Sequence, residues 1–358
     1  MTRPLSARVQ PWLELLRVSA LLTVPGDALA GAAALSRRPN RGTALALASS
    51  LCLYEAGMAL NDWADRAEDA QDRPHRPIPS GRIAPHAALA AACALSASGL
   101  ALASRAGRPT LAAATALTAT VWAYDLKLKH TALAPAAMAT ARSLDLLMGA
   151  TATATATAAA RGTGSAPAST ARSMRSGARS GFAGFAAPSC SEPAVVPGAP
   201  LPGAVDALTA AALLGAHTYA VTQVSRHEAQ GGSTAAPVSA LAGVLALTAA
   251  VSRRSATSAR RAPAAPGAVH GPKPVPHLDR VLPRVLAAAY LRTAARPLVH
   301  AALNPSPPLT QRAVGGGIRA MIPLQAALSA RSGAPGTGAA LLVLAPLARR
   351  LARKVSPT

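Results

Sequence analysis

Long apolar stretches recur along the whole chain, at residues 12–35, 43–60, 84–104, 109–123, 131–158, 204–224, 236–252, 281–301, 312–330 and 335–350. In lipid a segment must satisfy its own backbone hydrogen bonds, and a run of roughly twenty apolar residues does so as a helix that crosses the hydrocarbon core. About nine of these stretches fit that requirement. The expected fold is therefore all-α, an integral membrane bundle. The composition agrees: 51% of the 358 residues are hydrophobic and 14% charged, with a mean hydropathy of +0.27. Most of the apolar content is Ala and Leu, and small side chains let helices approach closely in lipid. A large soluble Ala-rich helical protein is the competing reading, and the repeated span length argues against it. The first stretch contains "ALAGAAAL", which offers small residues for signal cleavage, but Glu14 and Asp27 interrupt the pattern and a retained helix is expected.

The net charge of +22 invites a nucleic-acid reading. The excess is nearly all Arg scattered between apolar spans, without aromatic interleaving or a recognisable module, so no nucleic-acid partner is expected. Arg37, Arg38 and Arg41 fall in one loop, and Arg73, Arg76, Lys127 and Lys129 in loops that alternation would put on the other side, so charge alone sets no orientation. Cys52 and Cys93 lie inside apolar spans and Cys190 in a low-complexity stretch; with no CxxC pair, they read as packing residues. The chain reads as one transmembrane domain over 1–358, interrupted by a low-complexity loop at 161–203 and an Arg/Pro-rich loop at 253–277.

Against this basic background, "NDWADRAEDAQD" places Asp62, Asp65, Glu68, Asp69 and Asp72 within eleven positions, five of fourteen acidic residues. On a helical wheel they share an arc of roughly 120°. Tyr54 and Met58 continue that face deeper into the apolar span. Like charges at i, i+3 and i, i+4 repel, so something cationic must offset them. Carboxylates at the mouth of a membrane cavity are hard oxygen ligands suited to Mg²⁺, which is commonly held by one or two carboxylates plus substrate phosphates. A solvated face neutralised by Arg66, Arg73, Arg76 and Arg82 is the plainer alternative.

The pattern Asn61, Asp62, Asp65 and Asp69, followed by "DRPHRPIPSGRI", resembles the first aspartate-rich motif and trailing loop of the UbiA superfamily of intramembrane prenyltransferases. A second likeness is "YDLKLKHT", Tyr124 to Thr131, similar to that family's Tyr followed by basic residues in the next loop. The resemblance implies a nine-helix bundle in a bacterial cell membrane with a cytoplasmic active site. It also implies Mg²⁺-dependent transfer from a prenyl diphosphate to an acceptor. By that resemblance Asn61, Asp62, Asp65 and Asp69 hold metal, with Asp62, Asp65 and Asp69 catalytic. Lys127 and Lys129 contact phosphate, Arg73 and Arg76 are weaker phosphate ligands, and Tyr54 and Tyr124 face a developing cation.

The family's second aspartate-rich motif belongs where this chain reads "AHTYAVTQVSRHEAQGGS", whose only carboxylate is Glu228. Arg226 and Glu228 are the substrate-binding candidates there, the Arg replacing the charge of a metal ion on phosphate. This departure is similar to the EboC-like bacterial members and leaves open a non-catalytic or transport-related homologue that binds a lipid-linked or phosphorylated metabolite. A purely structural membrane subunit is a third possibility. Among intramembrane ionisable groups, Arg142 and Asp145 are spaced as an i, i+3 ion pair, Asp27 could line the central cavity, and "GGGIRAMIPLQAA" at 315–327 suggests close packing.

Overall fold

The computed structural model describes residues 5–17, 23–163, 203–228, 231–253, 278–343 and 346. The expected loops therefore lie largely outside the described residues, as do 18–22 of the first apolar stretch. All regular structure among the described residues is helical. In chain order the helices are α1 (Leu5–Leu15), α2 (Pro25–Ala34), α3 (Arg41–Ala64), α4 (Arg66–Asp72), α5 (Pro85–Ala106) and α6 (Arg108–Ala123). A π-helical turn, Tyr124–Leu128, extends α6, and then come α7 (Ala134–Thr163), α8 (Ala204–Ser225), α9 (Ala235–Ser252), α10 (Leu278–Leu303) and α11 (Pro307–Arg331). Residues 335–343 are helical as well.

Local chemistry sets most of the helix starts. Asn40 accepts from the Thr43 amide while the Thr43 hydroxyl accepts from Asn40, a reciprocal cap that begins α3. Proline occupies the first turn of α2, α5, α6 and α11, where its missing N–H costs nothing. Gly107, at φ +127°, lets the chain reverse between α5 and α6 in a single residue. The stretch expected as one span at 12–35 is instead two helices, α1 and α2.

Helices α3, α5, α8 and α9 are long and apolar enough to cross a membrane. Only 28% of the apolar window of α5, and of α9, is buried inside the protein, so most of that apolar surface faces outward, as lipid contact requires. Inside, α7 is the hub: its side chains enter a core shared with α2, α8, α10 and α11 and another shared with α3, α5 and α6. Backbones meet directly where α2 crosses α7. A Cβ added at Gly31 would sit 2.3 Å from the Leu146 carbonyl oxygen, and one at Gly149 would sit 2.4 Å from Ala28 Cα. The glycines at 315–317 pack closely as expected, with Gly316 against Pro297 and Gly317 against Val221.

The intramembrane charges pair differently from their sequence spacing. Arg142 Nε lies 3.1 Å from Asp27 Oδ2, while Asp145 Oδ2 accepts from Ser50 at 2.7 Å. Helix α2 brings Asp27 to α7 from 115 positions away, which an i, i+3 argument cannot see. Asp27 is fully buried and is held by Gln325 Nε2 at 2.8 Å rather than lining the cavity. That cavity, of about 240 Å³, lies between α3, α6, α7, α8 and α11.

Candidate active site

The site is built where α3 emerges from the bundle. Met58 and Tyr54 line the cavity, and Asp62 follows Met58 by one turn on the same face. The acidic residues do not form one uninterrupted helical stripe. Helix α3 ends at Ala64 and Asp65 caps it (φ −84°, ψ 1°) before the short α4 begins. The break sorts the five carboxylates: Asp62 and Asp69 are buried, Asp65 is half-buried, and Glu68 and Asp72 are exposed.

Each of the first three has a cation of its own. Arg76 Nη1 donates to Asp69 Oδ2 at 2.7 Å and reaches Asp62 Oδ1 at 3.4 Å. Arg73 Nη1 donates to Asp69 Oδ1 at 3.3 Å, and Arg17 Nη2, from just beyond α1, donates to Asp62 Oδ1 at 2.9 Å. Lys129 Nζ makes a close ion pair with Asp65. Two buried carboxylates this near one another would be costly unpaired, and Arg17 together with the Arg-rich loop after α4 compensates them.

The π-helical turn brings the second loop to the same place. A π turn rotates the following residues off the α-helical register, so Asp125 becomes buried and Lys129 reaches Asp65 while Lys127 stays exposed. Asn61 Nδ2 donates to Asp125 Oδ1 at 3.3 Å. Burial pushes the Asp125 carboxyl up to about 7, with Asn61 and Arg17 opposing and Asp62 adding to the rise. Burial also lowers the Lys129 ammonium, against the opposing pull of Asp62. Tyr124 is half-buried beside Asp125.

One cluster here has the donors a divalent cation takes. Asp65, Glu68 and His130 present ligand atoms that all lie within 4.8 Å of one another, with Asp62 and Asn61 one turn behind. Sequence reasoning omitted Arg17, Asp125 and His130. Asp125 and His130 had a signal, since they flank the Lys pair already singled out; Arg17 had none, because nothing local links it to Asp62.

The second expected motif is thinner. Arg226 is exposed, whereas Glu228 is half-buried. Burial raises its carboxyl and the positive charge of Arg73 opposes that rise, so the end of α8 and the first motif's loop are electrostatic neighbours. His217 belongs to the core: Nδ1 is 3.0 Å from the Tyr290 hydroxyl and Nε2 3.0 Å from the Gly317 carbonyl oxygen, which uses both ring nitrogens.

The model of the UbiA prenyltransferase family matches residues 20–224. The digeranylgeranylglyceryl phosphate synthase of Methanopyrus kandleri is 35% identical over 130 residues, 35% of this chain and 46% of that protein. The synthase of the same description from Ignicoccus hospitalis is 37% identical over 128 residues, 36% of this chain and 42% of that protein. The chain thus spans less than half the length of these curated relatives. Among solved structures, a UbiA homologue from Archaeoglobus fulgidus bound to GPP and Mg²⁺ aligns over 91% of this chain and 99% of its own, with a TM-score of 0.54 and 16% identity. A digeranylgeranylglyceryl phosphate synthase structure aligns over 91% and 98%, with a TM-score of 0.53 and 14% identity. At such identities the likeness is one of fold.

Proposed function

The chain belongs to the UbiA prenyltransferase family, and from that premise we propose that it transfers a prenyl group from a prenyl diphosphate to an acceptor inside the membrane. One observation carries the reading: Asp62, Asp65 and Asp69 converge with Arg76 and Lys129 directly above an apolar cavity. Asn61, Asp62, Asp65 and Asp69 would hold Mg²⁺, with Glu68 and His130 offering further ligand atoms beside Asp65. Bound there, Mg²⁺ supplies charge neutralisation for a departing diphosphate.

The chain's own residues do the rest. Arg76 and Lys129 already sit on the carboxylates and can exchange those partners for phosphate oxygens, which accept charge-assisted hydrogen bonds equally well. Arg73 and Arg226, more exposed, are positioned to attract the anion rather than fix it. The cavity walls keep water from an allylic carbon as positive charge develops, and Tyr54, which lines the cavity, supplies an aromatic ring for that charge. An acceptor of the glyceryl phosphate class, as the relatives' names suggest, is part of the proposal. So are the cytoplasmic orientation of the site and the divergent, EboC-like bacterial placement, the latter supported by the reduced second motif.

The test is diphosphate release by the purified protein, given Mg²⁺, radiolabelled prenyl diphosphates of several lengths and a membrane extract as acceptor source. Transfer predicts release together with a labelled lipid product. A second reading, a non-catalytic homologue that binds a phosphorylated lipid, is favoured by one observation, that Glu228 is the sole carboxylate at the second position. It predicts Mg²⁺-dependent binding with no release at any length.

A further inference from the structure

The outer face of the α10–α11 hairpin carries cations that the rest of the chain leaves unpaired. The two helices run antiparallel through the short turn Asn304–Ser306. A Cβ added at Gly316 would sit 2.8 Å from Pro297 Cγ and 3.4 Å from the Thr293 carbonyl oxygen, which sets their register. Arg296 thus lies about level with Gly315, His300 with Arg312, and Arg292 with Arg319. Ala294 and Leu298 of α10 and Ala313 and Gly317 of α11 line one interior gap, so the residues opposite them share the outward side. On α10 these are Arg292, Arg296 and His300, at i, i+4 steps; on α11 they are Arg312 and Arg319, about 20° apart on a helical wheel. All five are exposed, and none has a hydrogen-bond or ion-pair partner among the described residues. No carboxylate follows Asp279 in the sequence. A row of guanidinium groups on a lipid-facing helix pair is costly without a counter-anion.

Between the two rows the floor is bare. The position a Cβ would take at Gly315 has only Arg319 near it, with Nη1 3.3 Å away. Arg319 therefore folds back one turn toward the start of α11, alongside the level of Arg296. The turn of the hairpin lies at the end of the bundle that bears the acidic motif: the Gly232 amide donates to the Pro305 carbonyl at 2.7 Å, just beyond α8 and Glu228. We propose that the seam over Gly315 binds the phosphate of an anionic phospholipid, gripped between Arg296 of α10 and Arg312 and Arg319 of α11. Gly315 is roughly 13 Å along the axis from the turn, a depth from which a long arginine side chain still reaches headgroups. Planar guanidinium forks match phosphate oxygens, and the bare glycine leaves room for a headgroup between the helices. A second copy of the chain offers no matching face, because the exposed carboxylates of the described residues, Glu14, Glu68 and Asp72, lie in α1 and α4. The proposal does not depend on the prenyl-transfer reading.

The experiment counts, by native mass spectrometry, the lipids retained by the full chain released from nanodiscs that hold phosphatidylglycerol and phosphatidylcholine in equal amounts. The expected result is a preference of about ten-fold or more for phosphatidylglycerol. The triple variant Arg296→Gln, Arg312→Gln, Arg319→Gln should lose it. Gly315→Leu, which fills the floor without changing the charge, should lose it as well. Arg41→Gln, Arg105→Gln, Arg108→Gln removes the same charge from exposed positions elsewhere and should keep it. Equal retention of the two lipids by the unmodified chain overturns the proposal, whether or not any variant folds. So does an equal loss in the second triple variant, or undiminished preference in a folded Gly315→Leu protein. Displacement of the lipid by inorganic phosphate alone would make the seam a free-anion site, and a dimer in place of bound lipid would make it a protein interface; either result contradicts a headgroup site.

Discussion

Arg76 Nη1 lies 2.7 Å from Asp69 Oδ2 although the two belong to different elements, and the same nitrogen is 3.4 Å from Asp62. The guanidinium therefore compensates two buried carboxylates at once. Arg76→Gln should lower stability by about 2–3 kcal/mol, less than the loss for a fully enclosed pair because Arg76 is partly exposed. Asp69→Asn in the same background should recover part of that loss. Thermal unfolding in detergent checks both, and strict additivity of the two substitutions would contradict the pairing.

The two lysines of "YDLKLK" separate cleanly. Lys129 pairs with Asp65 while Lys127 is exposed. Lys129→Met should raise the KM for a prenyl diphosphate by about ten-fold or more, the scale of one charged hydrogen bond. Lys127→Met should stay within about two-fold. Equal effects would mean that the π-helical turn does not select between them.

Asp125 gives a pH signature. Its carboxyl is pushed from an ordinary 3.8 up to about 7, chiefly by burial. The folded protein then binds more protons than the unfolded chain between those values, so stability falls as pH rises through that window. Asp125→Asn, which cannot ionise, should flatten that part of the profile. Chemical denaturation between pH 4 and 7 reads the difference, and an unchanged slope would refute the assignment.

How much of this was legible from residues alone differs between elements. Spans such as 43–60 and 236–252 were readable because apolar length in lipid has few alternatives, and α3 and α9 begin and end within a few residues of those limits. The crowding of carboxylates between Asp62 and Asp72 was also readable, since all five fall within eleven positions. What failed were inferences from regular α-helical spacing. The break at Asp65 splits the acidic stripe, the π turn buries Asp125 and reorients Lys129, and Arg142 chooses Asp27 over Asp145. Partners such as Arg17 and Asp62 meet only through tertiary packing, which leaves no local trace.

The crossing of α2 and α7 predicts an asymmetric glycine response. Gly149→Ala would place its Cβ 2.4 Å from the Ala28 backbone and should cost about 1–3 kcal/mol as the helices separate. Gly243, in the middle of α9, has nothing within 4 Å of an added Cβ. Gly243→Ala should be neutral or stabilising by up to about 1 kcal/mol through helix propensity. Comparing their melting temperatures with the unmodified protein checks the packing directly, and a harmless Gly149→Ala would disprove the close approach.

On the proposed function, the first motif's carboxylates work through a divalent metal on a diphosphate. This is tested most directly by prenyl diphosphate turnover in nanodiscs, with and without Mg²⁺, for the unmodified chain, Asp65→Asn and Asp69→Asn. Diphosphate release should require Mg²⁺, stop on chelation and fall at least about a hundred-fold in both variants, more than the loss of an outer-sphere partner alone. Release that persists after chelation, or that survives undiminished in a folded Asp65→Asn protein, would contradict this.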